Sequence, residues 1–185
     1  MTTDYSRRFF LGSFAAAALS RPRSAAGVPL QAVSAKGTGG ARGKTQKIDS
    51  EIREYRDPDT GARVRQLTGD GSDNVHLYFT SESFVGGSDR VVFGSNRSGR
   101  FQLYLLEIKD RRLVQLTDGE QIEPQKATTN NGRLFYFDGP RLRCLRLDTM
   151  DDRELYRTPN GFRPYLPSCT ADGGHVAFAY GEACP

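Results

Sequence analysis

The stretch from Val91 to Gly119, VVFGSNRSGRFQLYLLEIKDRRLVQLTDG, cannot be left wet on either side. Val91 to Ser95 is short, apolar and β-branched, as a buried strand should be. Asn96, Ser98 and Gly99 are turn formers. From Gln102 to Ile108 a second strand puts Phe101, Leu103 and Leu105 on one face and Tyr104, Leu106 and Ile108 on the other. Lys109-Asp110-Arg111 turns the chain back into a third strand, Leu113 to Thr117, which Asp118-Gly119 ends. A meander that is apolar on both faces needs a cover above and below.

The chain supplies covers by repeating itself. Gln66-Leu67-Thr68 returns 49 residues later as Gln115-Leu116-Thr117, and more weakly at Leu155 to Thr158. The strand opened by Arg90 (RVVFGS) returns at Arg133 (RLFYFD) and at His175 (HVAFAY), in steps of 43 and 42 residues. Each copy follows a polar turn: Gly86 to Asp89, Asn130 to Gly132, Asp172 to Gly174. A period of this size with several short strands per repeat is the signature of a β-propeller blade. A β-sandwich also spaces strands closely but does not keep such a register. The expectation is an all-β, incomplete propeller of about two and a half to three blades, short of the usual ring.

Charge divides the chain before any motif does. Residues 1–47 hold eight Lys or Arg and one acid, Asp4, leaving 18 basic and 21 acidic side chains in residues 48–185. The basic pI of the whole chain therefore belongs to its leader, and the repeat region carries no basic footprint for nucleic acid. Ser6-Arg7-Arg8-Phe9-Phe10-Leu11-Gly12 resembles a twin-arginine export signal, with Arg7 and Arg8 as the pair that the translocase reads. An apolar run from Ser13 to Leu19, too short to span a bilayer, and the small residues Ser24-Ala25-Ala26 follow it. The expected organisation is a signal peptide over 1–26, a flexible linker over 27–50 and the propeller over 51–185. A bacterial protein built this way is periplasmic or secreted, with no membrane span in its mature form. Gly37 to Thr45 mimics a phosphate loop but has Thr38 where glycine is required, and no strand precedes it.

Candidate chemistry is sparse. Asp57 and Asp59 sit in a proline-glycine turn, and Asp70, Ser72 and Asn74 alternate like a calcium loop without its glutamate. His76 lies just before an expected innermost strand, where it is either a loop histidine bonded to backbone or a channel-lining group that meets ligand. His175 begins a strand beside a turn and reads as structural. Cys144 reads as a small packing residue. A Cys169–Cys184 bridge is open to an exported chain, and the three cysteines have no zinc spacing. No nucleophile elbow or His-Glu-x-x-His is present.

The block Glu54 to Thr68 (EYRDPDTGARVRQLT), then His76-Leu77-Tyr78-Phe79, the SNRSG turn and the LYLL…QLTDG run together resemble the N-terminal part of the oligogalacturonate lyases. Arg163-Pro164-Tyr165, Asp172-Gly173 and Val176-Ala177-Phe178 continue the likeness, which covers residues 51–182. The resemblance implies a seven-bladed propeller that splits short oligogalacturonides by β-elimination in pectin breakdown. A base removes the proton at C5, and an Mn²⁺ ion held by histidines and a glutamine neutralises the adjacent carboxylate. Arginines hold the second uronate. By the same resemblance the metal ligands and the base belong to later blades, so catalytic residues are expected beyond residue 185. His76, Arg163 and Tyr165 are the candidates for lining the substrate site. The expectation is that this chain is the N-terminal part of a longer product and inactive alone. The competing class is a non-catalytic exported propeller that serves as a protein- or carbohydrate-binding platform.

Overall fold

The computed structural model describes residues 43–49 and 51–182. The expected signal peptide, with Arg7 and Arg8, and Cys184 lie outside the described residues, as does most of the expected linker. Its last part does not behave as a linker. Thr45–Lys47 forms strand β1, and Ile48 beside it is 1% exposed. The pull is the apolar face of the first blade, where Ile48 joins Phe93, Tyr104, Leu106 and Leu113.

A hairpin follows, β2 (Arg53–Arg56) and β3 (Arg63–Gln66), paired only with each other across the Asp57–Gly61 turn. Asp57 accepts bonds from the N–H and hydroxyl of Thr60 at 2.8 and 2.7 Å, which is turn chemistry and uses up the carboxylate. The first blade is β4 (Asn74–His76), β5 (Arg90–Ser95), β6 (Gln102–Glu107) and β7 (Arg112–Gln115), antiparallel, with β1 added outside β7. The second is β8 (Ile122–Asn130), β9 (Arg133–Asp138), β10 (Arg141–Arg146) and β11 (Asp152–Arg157). In both, the first strand is innermost and each later strand is added outward. The third unit is half a blade. Its inner strand is β12 (Phe162–Pro164) continued by β13 (Ser168–Cys169), paired with β14 (Val176–Ala177) and β15 (Tyr180–Glu182). The register slips by one residue between the two paired segments, so a bulge falls near Tyr165.

Packing follows the two-faced pattern of β6. Leu103 and Leu105 face the second blade, in one core with Val92, Ala127, Leu134, Tyr136 and Leu145. Tyr104 and Leu106 face the other way, under Ile48, Ile52 and Leu67. The N-terminal segment thus covers the face where a preceding blade would stand. The second blade packs on the third through rings, Phe137 and Tyr156 against Phe178 at centroid distances of 5.3 and 5.4 Å.

The repeated Gln-Leu-Thr has a structural cause. The Gln115 side-chain amide donates to the Thr117 carbonyl at 2.8 Å, and Gln66 makes the same bond to Thr68 at 2.7 Å. Thr117 then receives the Leu103 N–H and donates to Gln102, whose amide also closes on Gly119 at 2.8 and 3.1 Å. Gln102 is fully buried and fully bonded, so the QLTDG run is a lock for the outer strands rather than a functional motif.

Candidate functional site

The ladder sets which residues gather at which end of the blades. Asn74 stands opposite Ser95, which leads into the Asn96–Gly99 turn. Ile122 stands opposite Asp138, which leads into the Gly139–Pro140 turn. The innermost strands of both blades therefore start at the same end, beside the β5–β6 and β9–β10 turns. The equivalent start in the half blade is Phe162, opposite Glu182. His76, Arg163 and Tyr165 all lie within a few residues of these starts.

His76 is on the innermost strand itself, paired with Phe93, rather than just ahead of it. The strand is held there by the Asn96 turn. The Asp73 N–H donates to Asn96 Oδ1 at 3.0 Å, and Asn96 Nδ2 returns a bond to the Asp73 carboxylate at 2.8 Å. The His76 ring is exposed, and its Nδ1 sits against the Leu77 carbonyl. A carbonyl only accepts, so in the neutral ring Nδ1 carries the proton and Nε2 keeps its lone pair. His76 is thus bonded to backbone, with its ring exposed. Beside it the Asn74 amide donates to Ser72 O at 2.9 Å, while Asn74 Oδ1 is buried with no partner among the described residues.

Arg163 lines a cleft of about 500 Å³ between the second blade and the half blade, with Gln121 just before the second blade's inner strand and Glu123 and Lys126 on it. Lys126 is tied to Glu123 at 2.8 Å. Arg163 is exposed, and no ion pair joins it to a carboxylate among the described residues. Tyr165 is 56% exposed, its N–H donating to Ala179 O at 2.8 Å. Its ring occupies the space that Gly181 leaves open, where a Cβ would stand 3.2 Å from Oη. In register, Phe93, Tyr136 and Phe178 are equivalent, so His76, Ala127 and the Leu166–Pro167 step occupy one level of the three inner strands. The structure puts Arg163 and Tyr165 side by side on one strand. It puts His76 two blades away, one step deeper than Tyr165 and three deeper than Arg163 from the end where the inner strands start.

The His175 backbone closes the turn before β14: its N–H donates to Thr170 Oγ1 at 3.0 Å and its carbonyl receives the Thr170 N–H at 3.1 Å. Cys144 is buried, and burial pushes its thiol upward. Cys169 is pushed to about 11, chiefly by burial and then by Cys144. Among the described residues no group of three or more His, Cys, Asp or Glu is placed to hold a metal ion. Among them, too, no helix is long and apolar enough to cross a membrane.

One charged cluster was missed in the sequence. Arg97, inside the SNRSG turn, has a side chain only 7% exposed. Its guanidinium grips both Glu51 oxygens at 3.1 and 3.2 Å, reaches Asp70 at 3.4 Å and lies over the Tyr104 ring at 5.6 Å. It clips the N-terminal hairpin to the first blade. A long cation among small turn residues, two positions from buried β5, was the available signal.

The family model for oligogalacturonate lyase matches residues 41–173. This chain belongs to the oligogalacturonate lyase family. An oligogalacturonide lyase of Pectobacterium atrosepticum is 27% identical over 125 residues, 66% of this chain and 32% of that protein. The oligogalacturonate lyase of Dickeya dadantii gives the same figures. Among solved structures, an oligogalacturonate lyase in complex with manganese superposes with a TM-score of 0.66 at 26% identity, covering 72% of this chain and 36% of that one. The oligogalacturonate lyase of Vibrio parahaemolyticus, at 21% identity and the same TM-score, supports the fold. The chain spans about a third of the length of these relatives. The β-propeller expected from the repeats is the fold of this family, and the repeats stand in the structure as its blades.

Proposed function

We propose that these blades are the N-terminal portion of an oligogalacturonate lyase that cleaves short oligogalacturonides by metal-assisted β-elimination. The observation that carries the reading is the family match over 41–173, joined to a solved relative that is bound to manganese. In such a reaction a metal ion draws charge from the carboxylate next to C5 and so eases loss of the C5 proton. Among the described residues no group of three or more His, Cys, Asp or Glu could hold a metal ion, and the part proposed for the site residues is to bind and orient. Arg163, with no carboxylate of its own, offers a planar fork to a uronate carboxylate. The exposed Tyr165 ring beside it offers an apolar face to the sugar. His76 offers Nε2 as an acceptor for a sugar hydroxyl. The protein works in the periplasm or outside the cell after twin-arginine export, and Arg7→Lys with Arg8→Lys should hold it in the cytoplasm.

The test has two arms. Calorimetric titration of the chain with digalacturonate should show binding that a neutral disaccharide does not, with Arg163→Gln weakening it about tenfold. Joining these blades to the C-terminal two thirds of the Pectobacterium relative should give, with manganese, an ultraviolet-absorbing unsaturated uronate. A folded, manganese-loaded chimera that leaves digalacturonate intact refutes the lyase reading and favours a binding platform.

A further inference from the structure

The other end of the blades carries arginines that neither the fold nor the candidate site explains. Arg90 opens β5 and Arg133 opens β9, at equivalent positions of the first and second repeats. Both line a small cleft of about 250 Å³ between the two blades, together with Arg146, Asn131, Gly132 and Asp148. Three arginines and one acidic residue therefore line this space. Asp148 is already taken, since Arg146 holds its two oxygens at 3.3 and 3.0 Å. Arg90 faces Glu107 across the ladder, but Glu107 is held by Arg112. Arg133 spends one nitrogen on the Gly173 carbonyl at 3.2 Å. Among the described residues no ion pair joins Arg90 or Arg133 to a carboxylate.

Arg133 and Arg146 are directly opposite each other on β9 and β10; Asp148 answers Arg146, while Arg133 has a carbonyl and no carboxylate for a partner among the described residues. The Asn131-Gly132 turn, with φ of 47° and 71°, fixes the floor of the cleft, and the Leu147 N–H bonds to Gly132 O at 2.9 Å. The row also continues. Arg133 lines a second, wider cleft of about 870 Å³, shared with Arg153 and with His175, the third repeat's equivalent of Arg90. Of the acids there, Glu154 is held by Arg157 at 3.0 Å and Asp172 by Thr170 and the Gly174 N–H.

We propose that the Arg90–Arg133–Arg146 cleft binds a carboxylate of a uronate polymer, and that the row running on to Arg153 holds the neighbouring uronates. A carboxylate matches the guanidinium fork, and its charge answers Arg90 and Arg133, which have no carboxylate partner among the described residues. Arginines at the same position of two successive blades suit a ligand that itself repeats a carboxylate per unit. This rests on the pectic reading for the kind of polymer. It places a long-chain anchor at the end opposite His76 and Arg163, so that long chains are held where short ones are not.

The experiment is affinity measurement on the full chain with polygalacturonate, digalacturonate and inorganic phosphate, comparing the wild type with Arg90→Gln/Arg133→Gln and with Arg163→Gln. The double variant should bind polygalacturonate about tenfold more weakly and digalacturonate unchanged, with a preserved melting temperature. Arg133→Lys, which keeps charge but loses the fork, should fall between. Full polymer affinity in the double variant overturns the proposal. So does phosphate that binds the wild type as tightly as the polymer does, which would make the cleft a site for a free oxyanion. If polymer binding needs Arg90 and Arg133 while digalacturonate is not bound at all, the anchor stands and the role given to Arg163 falls. If only Arg163→Gln matters, the reverse holds.

Discussion

Gly94 is the residue on which the docking of the first two blades turns. An added Cβ would stand 2.3 Å from two ring carbons of Pro124 on β8 and 3.0 Å from Val75 on β4. Pro124 is buried and its ring is rigid, so neither partner can step aside. Two effects of Gly94→Ala oppose each other. Restricting the unfolded chain, and replacing glycine within a strand, stabilises by about 0.5–1 kcal/mol. Overpacking a filled core costs about 1–3 kcal/mol, and a contact this short belongs at the upper end. The overlap should win, for a net loss of about 2 kcal/mol, or roughly 6 °C in melting temperature for a domain of this size. Thermal unfolding by circular dichroism reads this directly. Pro124→Ala removes the obstacle, so the double variant should recover at least 1 kcal/mol, a coupling expected for residues in contact. A neutral or stabilising Gly94→Ala, or strict additivity with Pro124→Ala, would refute the close approach and with it the placement of β4, and of His76, against the second blade.

Three further outcomes follow from buried charge and buried thiol. Arg97→Leu strands Glu51, whose side chain is 11% exposed, and should cost about 3–5 kcal/mol by denaturant melting, while adding Glu51→Leu should restore much of it. Asp70 titrates below its ordinary value: burial raises it, but bonds from the Ser72 hydroxyl and N–H and the charge of Arg97 outweigh that. A carboxyl lowered in the folded state contributes stability above its unfolded value of about 4, and that stability is lost as pH falls towards the folded value. The melting temperature should therefore drop below about pH 4, and Asp70→Asn should flatten that part of the profile. Cys169, pushed to about 11, should be about 0.1% thiolate at pH 8, so in a Cys184→Ser background thiol labelling should be slow until denaturant is added.

The scaffold was legible because its causes are local. A strand apolar on both faces demands two neighbours, and Leu103 and Tyr104 do go to opposite cores. The Gln-Leu-Thr recurrence marks a bond between residues two apart, so it survives in sequence as a motif. What escaped were contacts between distant segments. Arg97 meets Glu51 across 46 residues, and neither shows its partner when read alone. β1 hid for a related reason: Thr45, Gln46 and Lys47 have no apolar pattern, and the strand exists because β7 offers an unpaired edge and Ile48 a pocket.

The site is divided along the same line. His76, Arg163 and Tyr165 lie towards one end of the blades only because three inner strands start there, a property of the ring rather than of any one repeat. Sequence could nominate them singly, through a family likeness, but could not say that Arg163 shares its cleft with Lys126 while His76 stands two blades off. The arginines at the far end are the converse case. Arg90, Arg133 and His175 were plain in the sequence as the openings of three strands, and their chemistry went unread because each seemed only to punctuate a repeat. Register turns punctuation into a row. Arg133 stands opposite Arg146, which Asp148 answers, and itself reaches a carbonyl of the half blade but no carboxylate among the described residues. A repeat fold can place one residue type at the same height on successive blades at no topological expense. Where that residue is charged and unpaired, a ligand with the same repeat is the simplest physical reason for keeping it.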